Sequence, residues 1–363
     1  MVTCRYRRNL FRWVVAAVAG VLVVACSPAA PAAKPVAQEP GTLADIIRKA
    51  AEEREIVLQI QDPLQMSPAE AGRLMSAGLK RTFGIDITVK PDGSLSYNAA
   101  VAKVIAEIKS GNPPSYDLLY QDSVTAVPLF QEKVIEGFDW TKLVSGITND
   151  DLIFDGLAII PGTALNVPAY NTTLVRGADI PQSWDDVVNP RWKGRLGTTV
   201  YQDPWTRLAE PKAWGEERTT EYLRRMAALE PKLGRYAEIH QRLVSGEVAI
   251  AAQDYVDWVD ADKQRGAPVE LAPVEPVLAT LKVTLVAKGA RHANAAALLS
   301  AWFLTEEGQR FMDDAYTAAS LFKPGTMAAR FIEGKKYVVP TTDFQMANSV
   351  RLSKEWEEIL VKK

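Results

Sequence analysis

Five short polar clusters in this sequence could do chemistry: Gln61-Asp62, Gln121-Asp122-Ser123, Tyr201-Gln202-Asp203 with Trp205 nearby, Arg235-Tyr236, and Asp254-Tyr255. The first three close strand signals, Asp254-Tyr255 follow the apolar run at 248–252, and Arg235-Tyr236 stand at a junction with the helix signal at 238–243. In open α/β sheets that junction leaves backbone amides and helix N-termini free, and ligands settle there. Arg235 offers a planar fork that pairs with a carboxylate, and the rings of Tyr201, Trp205, Tyr236 and Tyr255 can cover apolar carbon. The chemistry expected of such a set is the non-covalent capture of a small organic anion.

Catalysis is not expected. The sequence lacks a G-x-S-x-G elbow, a G-x-x-x-x-G-K-[ST] loop and an H-E-x-x-H helix. No residue is assigned a catalytic role, and no cofactor or metal is expected, because the two Cys and two His cannot build a Cys-rich zinc module. His240 lies among charged residues and His292 in a turn, neither with a companion at ligand spacing, so both are expected at a solvated surface.

The elements that must hold the clusters alternate. Helical stretches at 44–54, 68–83 and 98–110 alternate with strands at 56–60, 85–90 and 116–120, and Val101, Val104, Ile105 and Ile108 form an apolar helical stripe. A second series runs from about 170 to 277, with a strand at 196–201, helices at 216–226 and 238–243 and an apolar run at 248–252. A strand at 280–287 and a helix at 294–312 follow. Repeated β-α-β units imply an α/β fold with a parallel sheet covered by helices on both faces. The 363 residues exceed one ordinary domain of about 150, so two are expected. Lys and Arg number 42 against 44 Asp and Glu, which argues against nucleic acid as a partner.

The first 25 residues read as an export signal. Arg5, Arg7, Arg8 and Arg12 precede an uncharged run at 13–25 that is short for a permanent membrane span. Val23-Val24-Ala25-Cys26 resembles the bacterial lipobox, which implies cleavage before Cys26 and lipid on its thiol. Residues 26–42 are rich in Pro and Ala and read as an extended tether. The expected location is therefore outside the cell membrane, attached by a lipid anchor.

Four segments carry a family resemblance. The stretch from Pro181-Gln182-Ser183-Trp184 through Asn189-Pro190-Arg191-Trp192-Lys193-Gly194-Arg195 resembles the P-x-S-W-x-D-L-x-x-P-x-W-K-G-[KR] segment of bacterial extracellular solute-binding proteins of ATP-binding-cassette (ABC) importers. Ala169-Tyr170-Asn171-Thr172-Thr173, Ser245-Gly246-Glu247-Val248 with Gly266-Ala267-Pro268-Val269, and the run from Ala287-Lys288-Gly289-Ala290 to Glu306-Glu307-Gly308-Gln309 are similar to other segments of that family. From the residues alone, Trp184 and Trp192 read as packing anchors.

The resemblance implies a two-lobed periplasmic-binding-protein fold with hinge-linked domains, type II-like. Lobe one would comprise 43–166 plus 278–315, and lobe two 167–277 plus 316–363. It implies a substrate-binding lipoprotein that closes on a solute and delivers it to an ABC permease. The alternatives are a ligand sensor that presents its closed form to a membrane receptor, and a ferric-iron binder. Iron-binding relatives carry adjacent tyrosines at the positions of Val256 and Asp257; here Tyr255 stands one place early and has no tyrosine neighbour.

Overall fold

The computed structural model describes residues 42–63 and 65–361. The expected signal, Cys26 and all of the tether except Thr42 lie outside them. Among the described residues no helix is long and apolar enough to cross a membrane.

Local chemistry starts and stops the first elements. Helix α1 (Leu43–Glu53) opens on a capping box, in which Asp45 N–H donates to Thr42 Oγ1 and the Asp45 carboxylate accepts from Thr42. It leads into β1 (Glu55–Gln59). Helix α2 (Pro68–Phe83) has Ser67 as its cap and Pro68 in its first turn, and it ends at Gly84 in the left-handed conformation. Strand β2 (Thr88–Asp92), α3 (Tyr97–Lys109), β3 (Leu118–Asp122) and α4 (Ser123–Gln131) complete the first series. The short β4 (Leu152–Ile153) precedes the long β5 (Ala158–Asn171). Next come α5 (Trp184–Val187), β6 (Leu196–Thr199), α6 (Asp203–Thr206), α7 (Glu216–Ala228), β7 (Lys232–Gly234) and α8 (Tyr236–Val244). Strand β8 (Ile250–Tyr255), α9 (Val256–Gln264), β9 (Val269–Leu271) and β10 (Val277–Val286) follow. The chain finishes with α10 (Ala293–Trp302), α11 (Glu306–Tyr316), α12 (Met327–Ile332), β11 (Tyr337–Val338) and α13 (Thr342–Leu360).

The strands join in the order β2-β1-β3-β10-β5-β8-β6-β7. Two parallel groups, β2-β1-β3 and β8-β6-β7, flank an antiparallel centre made by β10 and β5. Strand β5 belongs to both halves. Residues 159–166 pair with β10, and Asn166 to Tyr170 pair with β8. One core packs Met75, Leu79, Leu298 and Trp302 against Ile56 and Leu58; a second gathers Trp184, Trp205, Tyr222 and Trp356. Helix α13 packs on α6 and α7 of one half and α4 of the other. Trp184 and Trp192 are buried at 2% exposure each, as packing anchors should be.

The single helix expected at 294–312 is two. The first ends at Trp302, and Thr305 caps the second, accepting from Gly308 N–H at 3.0 Å. Gly308 is pressed so close to the turn that a β-carbon would lie 2.0 Å from the Trp302 carbonyl oxygen. The apolar stripe runs through the break because both pieces face the same core.

Candidate functional site

The carboxyl ends of β3 and β8 both meet the β5–β10 crossover. Lys282 of β10 lies opposite Asp122 of β3 and Gly162 of β5, while Asn166 of β5 lies opposite Tyr255 at the end of β8. Lys282 is the centre of the first group. Its Nζ stands 2.5 Å from Asp122 Oδ1 and 5.5 Å from the centre of the Tyr97 ring. Burial works against its charge, yet the Asp122 carboxylate, with the Tyr255 and Tyr120 phenols, holds the Lys282 pKa above the ordinary lysine value. Tyr120 and Tyr316 pack beside it with ring centres 6.3 Å apart, and Asp62 lies near enough to push the Tyr316 phenol further up, beyond the effect of burial. Burial likewise raises Tyr97 and Tyr120, so these phenols stay protonated.

The second group is an aromatic row on the other half-sheet. Tyr201 stacks on Tyr236 at 6.0 Å, Tyr236 meets Tyr255 at 4.6 Å, and Tyr255 meets Trp258 edge-on at 4.9 Å. Tyr201 is 43% exposed, so the row has an open end. Arg235 is exposed at the cap of α8, where its own N–H donates to Glu238 Oε2 at 2.9 Å. The first turn of α9 carries Asp257, whose Oδ2 accepts from Thr317 Oγ1, just past α11, at 2.5 Å. Burial pushes Asp257 up to about 6 against the pull of that hydroxyl.

The expected residues divide into those with some exposure and those turned inward. Asp62, Asp122, Tyr201, Arg235, Tyr236 and Tyr255 stand at the strand ends; Gln61 is exposed and donates to the Leu95 carbonyl at 3.3 Å. Asp203 opens α6. Five do not face solvent. Trp205 is wholly buried against Trp184 and Tyr222, because α6 turns it into the second core. Gln121 is buried and donates to Gln59 Oε1, and buried Ser123 accepts from Gln345 at 3.3 Å. Gln202 is 5% exposed, with its amide nitrogen on the Val200 carbonyl at 3.0 Å.

Asp254 is buried because it is the partner of His240, and this corrects the surface assignment of that histidine. His240 Nδ1 lies 2.8 Å from Asp254 Oδ2 and Nε2 lies 3.1 Å from Asp262 Oδ2. Burial favours the neutral ring, but the two carboxylates outweigh it and raise the His240 pKa. Asp254 also accepts the Tyr255 N–H at 2.8 Å, so the pair holds the backbone that presents Tyr255. His292 is likewise partnered, 2.9 Å from Asp117.

Sequence reasoning missed Lys282, Tyr97, Tyr120, Tyr316 and Thr317. Lys282 had a signal: it is the one charge in the apolar strand VLATLKVTLV. Among the described residues no group of three or more His, Cys, Asp or Glu is placed to hold a metal ion.

A family model described as bacterial extracellular solute-binding protein matches residues 77–323. The fold is shared with an ABC transporter substrate-binding protein from Bradyrhizobium japonicum USDA 110, at TM-score 0.67 and 15% identity over 84% of this chain and 99% of that one. Iron-bound HitA from Pseudomonas aeruginosa aligns at TM-score 0.61 and 18% identity over 83% of this chain and 99% of that one. An uncharacterized protein of Haemophilus influenzae is 30% identical over 140 residues, 36% of this chain; the chain spans 39% of that relative's length. The structural likenesses establish a two-lobed periplasmic-binding-protein fold. With the family match extending over most of the described residues, the chain belongs to the bacterial extracellular solute-binding proteins.

Proposed function

We propose that this protein captures a small organic anion between its two lobes and hands it to the permease of an ABC importer, while a lipid on Cys26 tethers it to the membrane. The lobes are taken as 43–166 plus 278–315 and 167–277 plus 316–363. The observation that carries the reading is the pairing of two unlike surfaces across the β5–β10 crossover. One offers the aromatic row from Tyr201 to Trp258 with Arg235 at the head of α8; the other offers Lys282 and Asp122. Rings cover carbon, and the guanidinium with the amides of the helix N-terminus suits a carboxylate. Iron is the weaker fit, since a ferric ion favours anionic oxygens and the tyrosine pair of the iron-binding relatives is missing.

Mass spectrometry of the solute that co-purifies, followed by titration calorimetry, tests the reading. Arg235→Ala should weaken an anionic solute roughly tenfold to a hundredfold, the worth of a charge-assisted bond. The unliganded melting temperature should hardly move, because an exposed arginine contributes little to folding. Unchanged affinity would assign Arg235 to the outer surface. A bound polyamine or ferric ion would overturn the anion reading itself. For the tether, Cys26→Ser should move the protein from the membrane to the soluble fraction with its fold intact; full retention at the membrane would refute the anchor.

A further inference from the structure

The strand ends that carry the aromatic row also carry buried polar side chains that the fold does not satisfy. Asn166 is 0% exposed, Thr198 0%, Gln202 5% and Gln253 2%. Among the described residues, neither amide atom of Asn166 or of Gln253 has a hydrogen-bond partner, and neither does Thr198 Oγ1 or Gln202 Oε1. Such orphans are rare in folded proteins, and several together call for an occupant. Topology brings them toward the carboxyl ends of the neighbouring strands β6 and β8. Asn166 is the ladder partner of Tyr255, and Gln253 sits two residues before Tyr255, beside the bulge in β8. The parallel pairing of Leu196 with Ile250 and Gly197 with Ala251 carries Thr198 alongside Ala252, next to Gln253. Gln202 lies three residues beyond the carboxyl end of β6, the strand paired with β8.

The chemistry of these atoms is specific. The Val200 carbonyl can only accept, so its 3.0 Å bond to Gln202 fixes that amide with the oxygen left over. Asn166 and Gln253 each offer donors and an acceptor whichever way their amides are turned. A carboxylate only accepts, and it would leave three side-chain carbonyl oxygens facing negative charge. Hydroxyls both donate and accept, and several on one arm supply the donors that three carbonyl oxygens need together with acceptors for the amide N–H groups. We infer that Asn166, Thr198, Gln202 and Gln253 form a second subsite that binds the hydroxyl-bearing arm of the solute, so that the class taken up is the hydroxylated organic acid. The inference rests on the proposed function for the acid end, and on the orphan atoms alone for the hydroxyl end.

The test compares three probes by calorimetry and thermal shift: gluconate, hexanoate and myo-inositol. Gluconate should bind and stabilise the protein well beyond hexanoate, its counterpart without hydroxyls. Gln253→Met and Thr198→Val keep side-chain volume while removing orphan atoms. Each should leave the unliganded melting temperature equal or higher, because an unpaired buried polar group destabilises the fold. Each should also weaken gluconate about tenfold while leaving hexanoate unchanged. Two substitutions keep the test informative should one disturb folding. Equal binding of gluconate and hexanoate, or full gluconate affinity in both variants, would overturn the subsite and leave water as its occupant. Failure of all three probes to bind would overturn it as well. Myo-inositol binding as tightly as gluconate, with the same sensitivity to Gln253→Met, would uphold the hydroxyl subsite while removing the anion reading.

Discussion

Replacing Lys282 by Met is expected to destabilise the protein by about 3 kcal/mol, among the largest effects of any single change where β10 meets β3 and β5. The Lys282 and Asp122 side chains are only 12% and 20% exposed, and their charged atoms are 2.5 Å apart. Removing the cation leaves the Asp122 carboxylate in a site that cannot hydrate it fully, and the cost is mostly that stranded charge. The double substitution Lys282→Met with Asp122→Leu should therefore recover most of the loss. Urea denaturation of the two single variants and the double variant measures the coupling. A loss below about 0.5 kcal/mol in Lys282→Met, in the range of an exposed ion pair, would show that water reaches the pair freely.

Gly162→Ala should cost about 3 kcal/mol and lower solute affinity together. A β-carbon there would lie 2.3 Å from the Ala318 carbonyl oxygen and 2.8 Å from the Tyr120 hydroxyl. The first obstacle is backbone, anchored by its own bond from Thr163 N–H at 3.0 Å, so it cannot swing aside as a side chain would. Relief requires the segment around Ala318 to withdraw from β5, which also displaces Thr317 from Asp257 and shifts Tyr120 beside Lys282. Thermal unfolding and calorimetry on the same preparations check both effects. A variant that melts within a degree of the parent would show that the segment yields without strain.

The local elements of the first half were legible because their signals are local. Thr42, Ser67 and Gly84 act within one helical turn of where they stand in sequence. Strand β5 left no such trace. All of its residues, AIIPGTALNVPAYN, are buried, so it shows neither alternation nor a helical period, and Pro161 and Pro168 read as breakers. It is legible only as the strand shared by both halves, which is a fact about pairing. The site shows the same divide. Strand-end positions such as Asp122, Tyr201 and Tyr255 could be read from element boundaries. Trp205 could not, because proximity in sequence to Tyr201 says nothing about the direction in which α6 turns. His240 was hidden by its charged neighbours in sequence; its partners Asp254 and Asp262 lie on other elements and meet it only in the folded chain.

The insertion of β10 between β3 and β5 has a consequence for how the molecule is made. The contact between Asp122 and Lys282 joins residues 160 apart in sequence, and β3 has no other neighbour on that side. The first half-sheet therefore cannot close until the chain has been supplied to about residue 286, however well α1 to α4 have formed. Closing so long a loop is entropically costly, and contacts of this separation slow folding. Until β10 arrives, β3 keeps an open edge, the kind of strand edge to which another chain can pair.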